Sequence, residues 1–273
     1  MNIFLIDAFA SEAFSGNPAA VVQLDSEPKD IEWMQSVAAE MNQSETCFLW
    51  PLSGDDKAEW GLRWFTPVVE VELCGHATLA SAHVLWSTGL VKHQEEVRFF
   101  TPLVGHYLSC ELDKNSGLIR MCFPALSLEP AKIPVGLTEA MGATPTHCGR
   151  NERGTLLLQF ATADEVRLLS PDFQAMVDAT DDVVIATALS DQSEYDVVSR
   201  FFAPSKGIDE DPVTGSAHCL IGPWWSRPLK QKKITCYQAS KRGGLLNLEL
   251  VDDNVYISGQ AVTVLAGDWK ITP

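Results

Sequence analysis

The stretch Arg63-Trp64-Phe65-Thr66-Pro67, with Gly75-His76-Ala77 starting eight residues after the proline, decides how this chain is read, because it occurs twice. The second copy is Arg200-Phe201-Phe202-Ala203-Pro204, with Gly215-Ser216-Ala217 starting eleven residues after the proline. One copy in each half of 273 residues points to two related lobes. Paired lobes make a cleft, and clefts are preferred ligand sites. Ser-Ala-His also recurs, as Ser81-Ala82-His83 and Ser216-Ala217-His218, but it cannot be aligned together with Gly-x-Ala without a gap. The Gly-x-Ala match is kept, because glycine and a helix start coincide there.

The residues after each Gly-x-Ala read as a buried helix. His76 to Trp86 is apolar almost all round, so a helix there is expected to be buried on every face, wrapped by sheet and ended by Thr88-Gly89. Ser216 to Ile221 begins the second such helix, which Pro223 is expected to limit. Asp30 is placed to cap a helix whose apolar residues Ile31, Met34, Val37, Ala38 and Met41 fall at helical spacing. Ser170-Pro171-Asp172 reads as a further helix start with proline at its first position. Strands are expected over 2–7, 44–50, 60–65, 97–112, 118–123, 155–160, 183–187, 197–202, 233–238, 245–250 and 254–258, with 19–24 strand-like or a short helix. The turn Lys114-Asn115-Ser116-Gly117 places a boundary near residue 115. The expectation is a first lobe over 1–115, which the C-terminal strand 260–273 could complete, and a second over 116–259. Strand-rich halves with one buried helix each make the fold class α+β.

Composition narrows the partners. The formal charge is −16, from 20 basic and 36 acidic residues. Such a surface repels phosphate backbones and anionic membranes, so neither nucleic acid nor a membrane is expected as partner. It does not exclude a small anionic substrate, which backbone amides can hold. No apolar run reaches transmembrane length, and Met1 to Asp7 is too short and acidic for a secretory leader. The seven cysteines are scattered with no C-x-x-C pair, which suits reduced thiols in a cytoplasmic protein.

Several residues could carry chemistry. The amides of Gly75, His76 and Ala77, and of Gly215, Ser216 and Ala217, open the two helices and can bind an anion, and glycine lets a ligand approach closely. Ordinary capping by Thr214 or Ser216 is the competing account. Glu45 lies between a helix end and an apolar strand, where desolvation would raise its pKa toward the range useful for proton transfer; a plain surface glutamate is the commoner case. His76 at a helix start could donate to a substrate oxygen or simply face solvent. Asp211 sits in Asp209-Glu210-Asp211-Pro212, a solvated turn or a carboxylate near the second helix end. Cys74 would have its thiolate favoured by the helix terminus, unless it is a buried inert thiol. No P-loop, G-x-G-x-x-G, G-x-S-x-G or H-E-x-x-H occurs, so nucleotide and metal chemistry have no support.

These segments together resemble the PhzF-like proteins of phenazine biosynthesis. The resemblance rests on Asp7-Ala8-Phe9, Ser15-Gly16-Asn17-Pro18-Ala19-Ala20-Val21-Val22, Asn42-Gln43-Ser44-Glu45-Thr46 and Arg63 to Pro67. It continues through Cys74-Gly75-His76-Ala77-Thr78, Asp211-Pro212-Val213-Thr214-Gly215-Ser216-Ala217-His218, Gln238-Ala239-Ser240 and Arg242-Gly243-Gly244. It runs nearly end to end. It implies a diaminopimelate-epimerase-like fold, with two similar lobes, each a sheet rolled around a central helix, and an active site in the cleft between them. It implies a cofactor-free isomerase, often a homodimer, acting on a small carboxylate-bearing molecule. In the phenazine enzyme the reaction shifts a proton within a dihydro-hydroxyanthranilate ring. By resemblance Glu45 is the acid/base, His76 and Asp211 bind and polarise the substrate, amides around Gly75, Gly215 and Ser216 hold its carboxylate, and Asn17 helps position it. Epimerase relatives use two cysteines; Cys74 falls where the first would be, whereas the second lobe offers Asp211-Pro212, and Cys219 lies inside the helix. The leading expectation is therefore a proton shift through Glu45. An amino-acid racemase or epimerase using Cys74, and a binding or scaffold protein without turnover, are the alternatives.

Overall fold

The computed structural model describes residues 1–54 and 57–270; the last three residues of the expected C-terminal strand lie outside this range. The chain forms two compact units, one of residues 1–122 with 258–273, the other of residues 123–257. Among the described residues no helix is long and apolar enough to cross a membrane.

The first unit is a mixed sheet. Asn2–Ala8 lies antiparallel to both Ala261–Asp268 and Asn17–Gln23. From Asn17–Gln23 the sheet continues parallel to Glu45–Pro51, antiparallel to Trp60–Phe65, parallel to Val97–Thr101, and antiparallel to His106–Leu112. The helix Gly75–Ser87 packs on the strands Asn2–Ala8, Asn17–Gln23, Glu45–Pro51 and Ala261–Asp268. It buries residues 76–82 and 84–86, as its all-round apolarity requires. The sheet's other face carries the helix Ile31–Met41 over Ile3, Val22, Phe48, Trp50 and Phe65. Asp30 caps that helix, its Oδ1 accepting from the Trp33 amide at 2.9 Å.

The second unit repeats this order of pairings. His147–Asn151 is antiparallel to Thr155–Gln159, then come Val183–Leu189 (parallel), Val197–Ala203 (antiparallel), Lys233–Gln238 (parallel) and Gly244–Val251 (antiparallel). The helix Gly215–Leu229 packs on the last two. A common pairing order with the repeated string at the same place in each sheet is what an internal duplication predicts.

The unequal spacing in the two copies has a simple cause. Arg63 makes a two-pronged ion pair with Glu70, at 2.6 and 3.0 Å, and Arg200 makes the same pair with Glu210, at 2.7 and 2.9 Å. Each glutamate precedes its helix-opening glycine by five residues, whereas the Arg-to-Glu spacing is seven in one copy and ten in the other. The three extra residues therefore lie between Pro204 and Glu210, where the short helix Pro204–Lys206 has formed. In this register Cys74 corresponds to Thr214, each the N-cap of its helix.

Cross-strand register extends the correspondence. Thr46 faces Phe65 and Val184 faces Phe202, and these phenylalanines occupy one position of the repeat. Thr46 thus matches Val184, and one residue earlier Glu45 matches Val183.

Three sequence expectations need correcting. The turn at 114–117 joins two antiparallel strands of one sheet, with Leu112 facing Ile119, so the chain leaves the first unit only after 122, not near 115. Pro171 is not the first helical residue: Asp172 is the N-cap of Phe173–Ala179, its side chain accepting from the Ala175 amide. Pro223 does not limit the second central helix, which runs through both Pro223 and Pro228. A proline at 223 frees the carbonyl of Cys219, four residues earlier, and that oxygen accepts instead from the Leu126 amide at 3.0 Å. The segments 163–167, 137–141 and 147–151 also hold regular structure that the sequence reading passed over. The first carries a signal that was there to find, because Thr162 and Glu165 form a reciprocal capping box.

Candidate active site

Glu45 opens the strand Glu45–Pro51, just beyond the left-handed residue Asn42 (φ 47°) that ends the helix Ile31–Met41. Its side chain is 15% exposed, and Oε2 stands 3.3 Å from Nε2 of His76. His76 is the second residue of the helix Gly75–Ser87 and is buried. Burial pushes its pKa down to about 3, so the ring is neutral in neutral solution. Its Nδ1 is approached by Asn17 Nδ2 and by Cys74 Sγ, both at 3.4 Å. Its Nε2 is enclosed and has no hydrogen-bond partner of good geometry among the described residues.

Asn17 begins the strand Asn17–Gln23 and is fully enclosed. It is delivered by a tight turn that only glycine accommodates. Gly16 has φ +65°, and a Cβ there would lie 2.2 Å from the carbonyl oxygen of Ala8. Ser44 donates its hydroxyl to Asn17 Oδ1 at 3.3 Å. Cys47 is inert by comparison: it donates to the Ala77 carbonyl, and burial pushes its thiol up to about 12. Glu45, Cys74 and His76 place one donor atom each within 4.8 Å of one another, close enough to consider a soft divalent cation as well as a proton.

The second unit holds a separate cluster. Thr214 does not cap its helix; its hydroxyl donates to Asp211 Oδ2 in a very short contact. Gln238 is buried and ties this corner together. Its Oε1 accepts from the Thr214 amide at 2.9 Å, and its Nε2 donates to the Asp211 carbonyl at 2.8 Å. Ser240 donates to the Pro212 carbonyl at 2.8 Å. Gly215 is buried and Ser216 exposed at the start of the helix. Neither N-cap residue, Cys74 nor Thr214, caps its helix with its own side chain.

Geometry thus groups Asn17, Glu45, Cys74 and His76 in the first unit, and Asp211, Gly215 and Ser216 in the second. Ser44, Thr214 and Gln238 were given no such part by the sequence reading. Ser44 meets a partner 27 residues away and Gln238 one 24 residues away, so no local spacing signals either.

A buried neutral histidine also ties stability to pH. His218 is fully enclosed, its Nδ1 lies 2.8 Å from the Thr214 carbonyl, and burial pushes its pKa down to about 4. His76 and His218 both have folded values below the unfolded value of about 6.5, so the unfolded chain binds more protons as pH falls. Their contribution is complete above that value and is lost on acidification. We expect about 2 kcal/mol of destabilisation per histidine between pH 7 and pH 5. Urea unfolding at the two pH values checks this, and His218→Gln should flatten the dependence. An unchanged slope in that variant would contradict the assignment.

Comparisons over the whole chain place it among known proteins. The family model described as "Phenazine biosynthesis-like protein" matches residues 6–267. A protein of Halalkalibacterium halodurans, named an uncharacterized isomerase, is 42% identical over 97% of this chain and 97% of its own. The human phenazine biosynthesis-like domain-containing protein is 36% identical over 97% of each chain. The crystal structure of a PhzF-family protein from Enterococcus faecalis superimposes with a TM-score of 0.90 and 35% identity, covering 99% of both chains. A probable proline racemase from Agrobacterium radiobacter shares the fold alone, with a TM-score of 0.65 and 10% identity over 100% of this chain and 93% of that one. With the repeated sheet order, the matched helix starts and a family match spanning nearly every residue, the chain belongs to the phenazine biosynthesis-like family.

Proposed function

We propose that this protein is an isomerase that moves a proton on a small carboxylate substrate, with Glu45 as the group that carries it and no cofactor taking part. The observation that carries the reading is the placement of Glu45 Oε2 3.3 Å from His76 Nε2, beside a helix start with no side-chain cap. In this reading the Glu45 carboxylate takes a proton from one carbon and becomes the carboxylic acid. The electron pair left behind delocalises toward an oxygen of the substrate. Glu45 then returns the proton to a second carbon and is regenerated as the carboxylate. His76, through an Nε2–H, and the amides near Gly75, Gly215 and Ser216 would stabilise the transient negative charge and hold the carboxylate. Asp211, oriented by Thr214 and Gln238, would accept from a substrate hydroxyl or amine. The homodimer implied by the resemblance belongs to this reading too. Relatives named isomerases support the reaction class.

A thiol-based racemase is the second reading, favoured by the 3.4 Å approach of Cys74 Sγ to an imidazole nitrogen. Against it, the residue matching Cys74 in the second unit is Thr214, so a two-thiol reaction lacks its second thiol.

Proton NMR in D2O over a panel of small cyclic and amino carboxylic acids separates the readings. We expect Cys74→Ala to keep C–H exchange within roughly tenfold of wild type. Loss of exchange in Cys74→Ala, with exchange retained in Glu45→Gln, would establish the thiol reading. Binding of a carboxylate without exchange of any C–H proton would leave only the non-catalytic alternative.

A further inference from the structure

We infer that Asn17 is not a substrate ligand but a positioning residue: with Ser44 behind it, Asn17 fixes which nitrogen of His76 carries the ring proton. The resemblance implied that Asn17 helps to place the substrate. Its side chain is 0% exposed, so the amide has no surface to offer a ligand. What it touches instead is the imidazole, with Nδ2 3.4 Å from His76 Nδ1, and the hydroxyl of Ser44, which donates to its oxygen at 3.3 Å.

A carboxamide has a donor end and an acceptor end, so engaging one end settles the other. Ser44 on the oxygen turns the NH2 toward the ring. The neighbour on the far side is compatible with this, because a Cys74 thiol 3.4 Å from the same Nδ1 can donate to it. An amide N–H aimed at Nδ1 calls for a bare lone pair there. A neutral imidazole has one ring proton, so that proton sits on Nε2. This is the enclosed atom that lacks a well-aligned partner, and it stands beside Glu45. A buried N–H whose nearby acceptor is poorly aligned is costly, and a substrate oxygen in line with it would relieve that cost.

Two consequences follow at the same three side chains. With Nδ1 accepting from the Asn17 amide and burial pushing the ring's pKa down, His76 is a poor base for taking the Cys74 proton, so Cys74 is held as a thiol rather than activated as a nucleophile. With Nε2 protonated and Nδ1 filled, the ring presents no free lone pair to a cation among Glu45, Cys74 and His76, close as their donor atoms are. Asn17 thereby selects carboxylate chemistry over both thiol and metal chemistry at one site. The effect on turnover rests on the isomerase reading above; the tautomer does not.

The experiment needs no substrate. Protein labelled with 15N in histidine is studied at pH 7 by long-range 1H–15N correlation, and loss of signals in His76→Gln identifies the ring. Wild type should show a neutral Nε2–H tautomer. Asn17→Asp puts an acceptor where the donor was, and should move the proton to Nδ1 or leave the ring doubly protonated. Should that variant not fold, Ser44→Ala decides: freeing the amide to rotate should raise the Nδ1–H fraction. A wild-type ring protonated at Nδ1 overturns the proposal, as does an unmoved ring in folded Asn17→Asp or, failing that, in Ser44→Ala. C–H exchange in folded Asn17→Asp should fall by roughly 10²- to 10⁴-fold, the scale of general acid/base contributions and of a wrongly held catalytic imidazole. If no carboxylate exchanges in wild type, the isomerase reading fails while the spectra still test the tautomer.

Discussion

Glu45→Gln should abolish solvent-proton exchange, lowering it by roughly 10³-fold or more, and should leave the fold intact. The two halves of that expectation have separate causes. Glutamine matches glutamate in shape and keeps an oxygen for its neighbours, and the side chain is 15% exposed at the edge of the core, so little packing is lost. A carboxamide cannot take up and return a proton, however, and positioned acid/base groups contribute about 10²–10⁴ in rate. The matching residue of the repeat is Val183, and His76, with its pKa pushed down to about 3, stays neutral. A loss of about 10³ corresponds to roughly 4 kcal/mol of transition-state stabilisation. Exchange measured by NMR in D2O, with thermal unfolding as the control, checks both halves. Exchange within a few-fold of wild type would remove Glu45 from the mechanism.

Gly61→Ala should strongly destabilise the first unit. Gly61 faces Trp50 directly across the antiparallel pair of strands Glu45–Pro51 and Trp60–Phe65. A Cβ on Gly61 would lie 2.1 to 2.4 Å from Cε2, Cζ2 and Nε1 of that indole. The ring cannot swing aside, because Trp50 is fully enclosed among Ile3, Val22, Met34 and Phe65. Overpacking typically costs about 1–3 kcal/mol, and a rigid aromatic against a strand backbone belongs at the upper end or beyond. The second unit shows the complementary solution at the same place, with Ala188 facing Val198. Trp50→Ala combined with Gly61→Val copies that pair and should be more stable than the sum of the two single changes. Urea unfolding of all four proteins measures the coupling. A Gly61→Ala protein as stable as wild type would contradict the packing described.

The sequence exposed the scaffold better than the site. The repeated string located both units and both central helices, because a glycine, an apolar run and a fixed aromatic pattern are all local signals. The Arg–Glu clamp inside that string went unread, since Glu70 and Glu210 sit at different distances from their arginines. Pro223 misled because the carbonyl it frees is rescued by Leu126, a partner 93 residues upstream. Within the site, the residues named from family motifs sit where a reader of local pattern had no means to rank them. Glu45 is one acid among 36 acidic residues until His76 is placed beside it. The Ser44–Asn17–His76 relay spans three separate segments, and Gln238 reaches Asp211 and Thr214 from a distant strand. Hydrogen-bond chains of this sort leave no periodicity behind.

The mismatch of Glu45 with Val183 bears on why the two halves share one polypeptide. A self-assembling pair of identical half-chains would display either two carboxylates at this position or two valines, because rotational symmetry copies every side chain. Joining the halves covalently releases each from being the image of the other. One half can then carry a carboxylate where its twin carries hydrocarbon, while the ion clamp, Arg63 with Glu70 and Arg200 with Glu210, is kept in both.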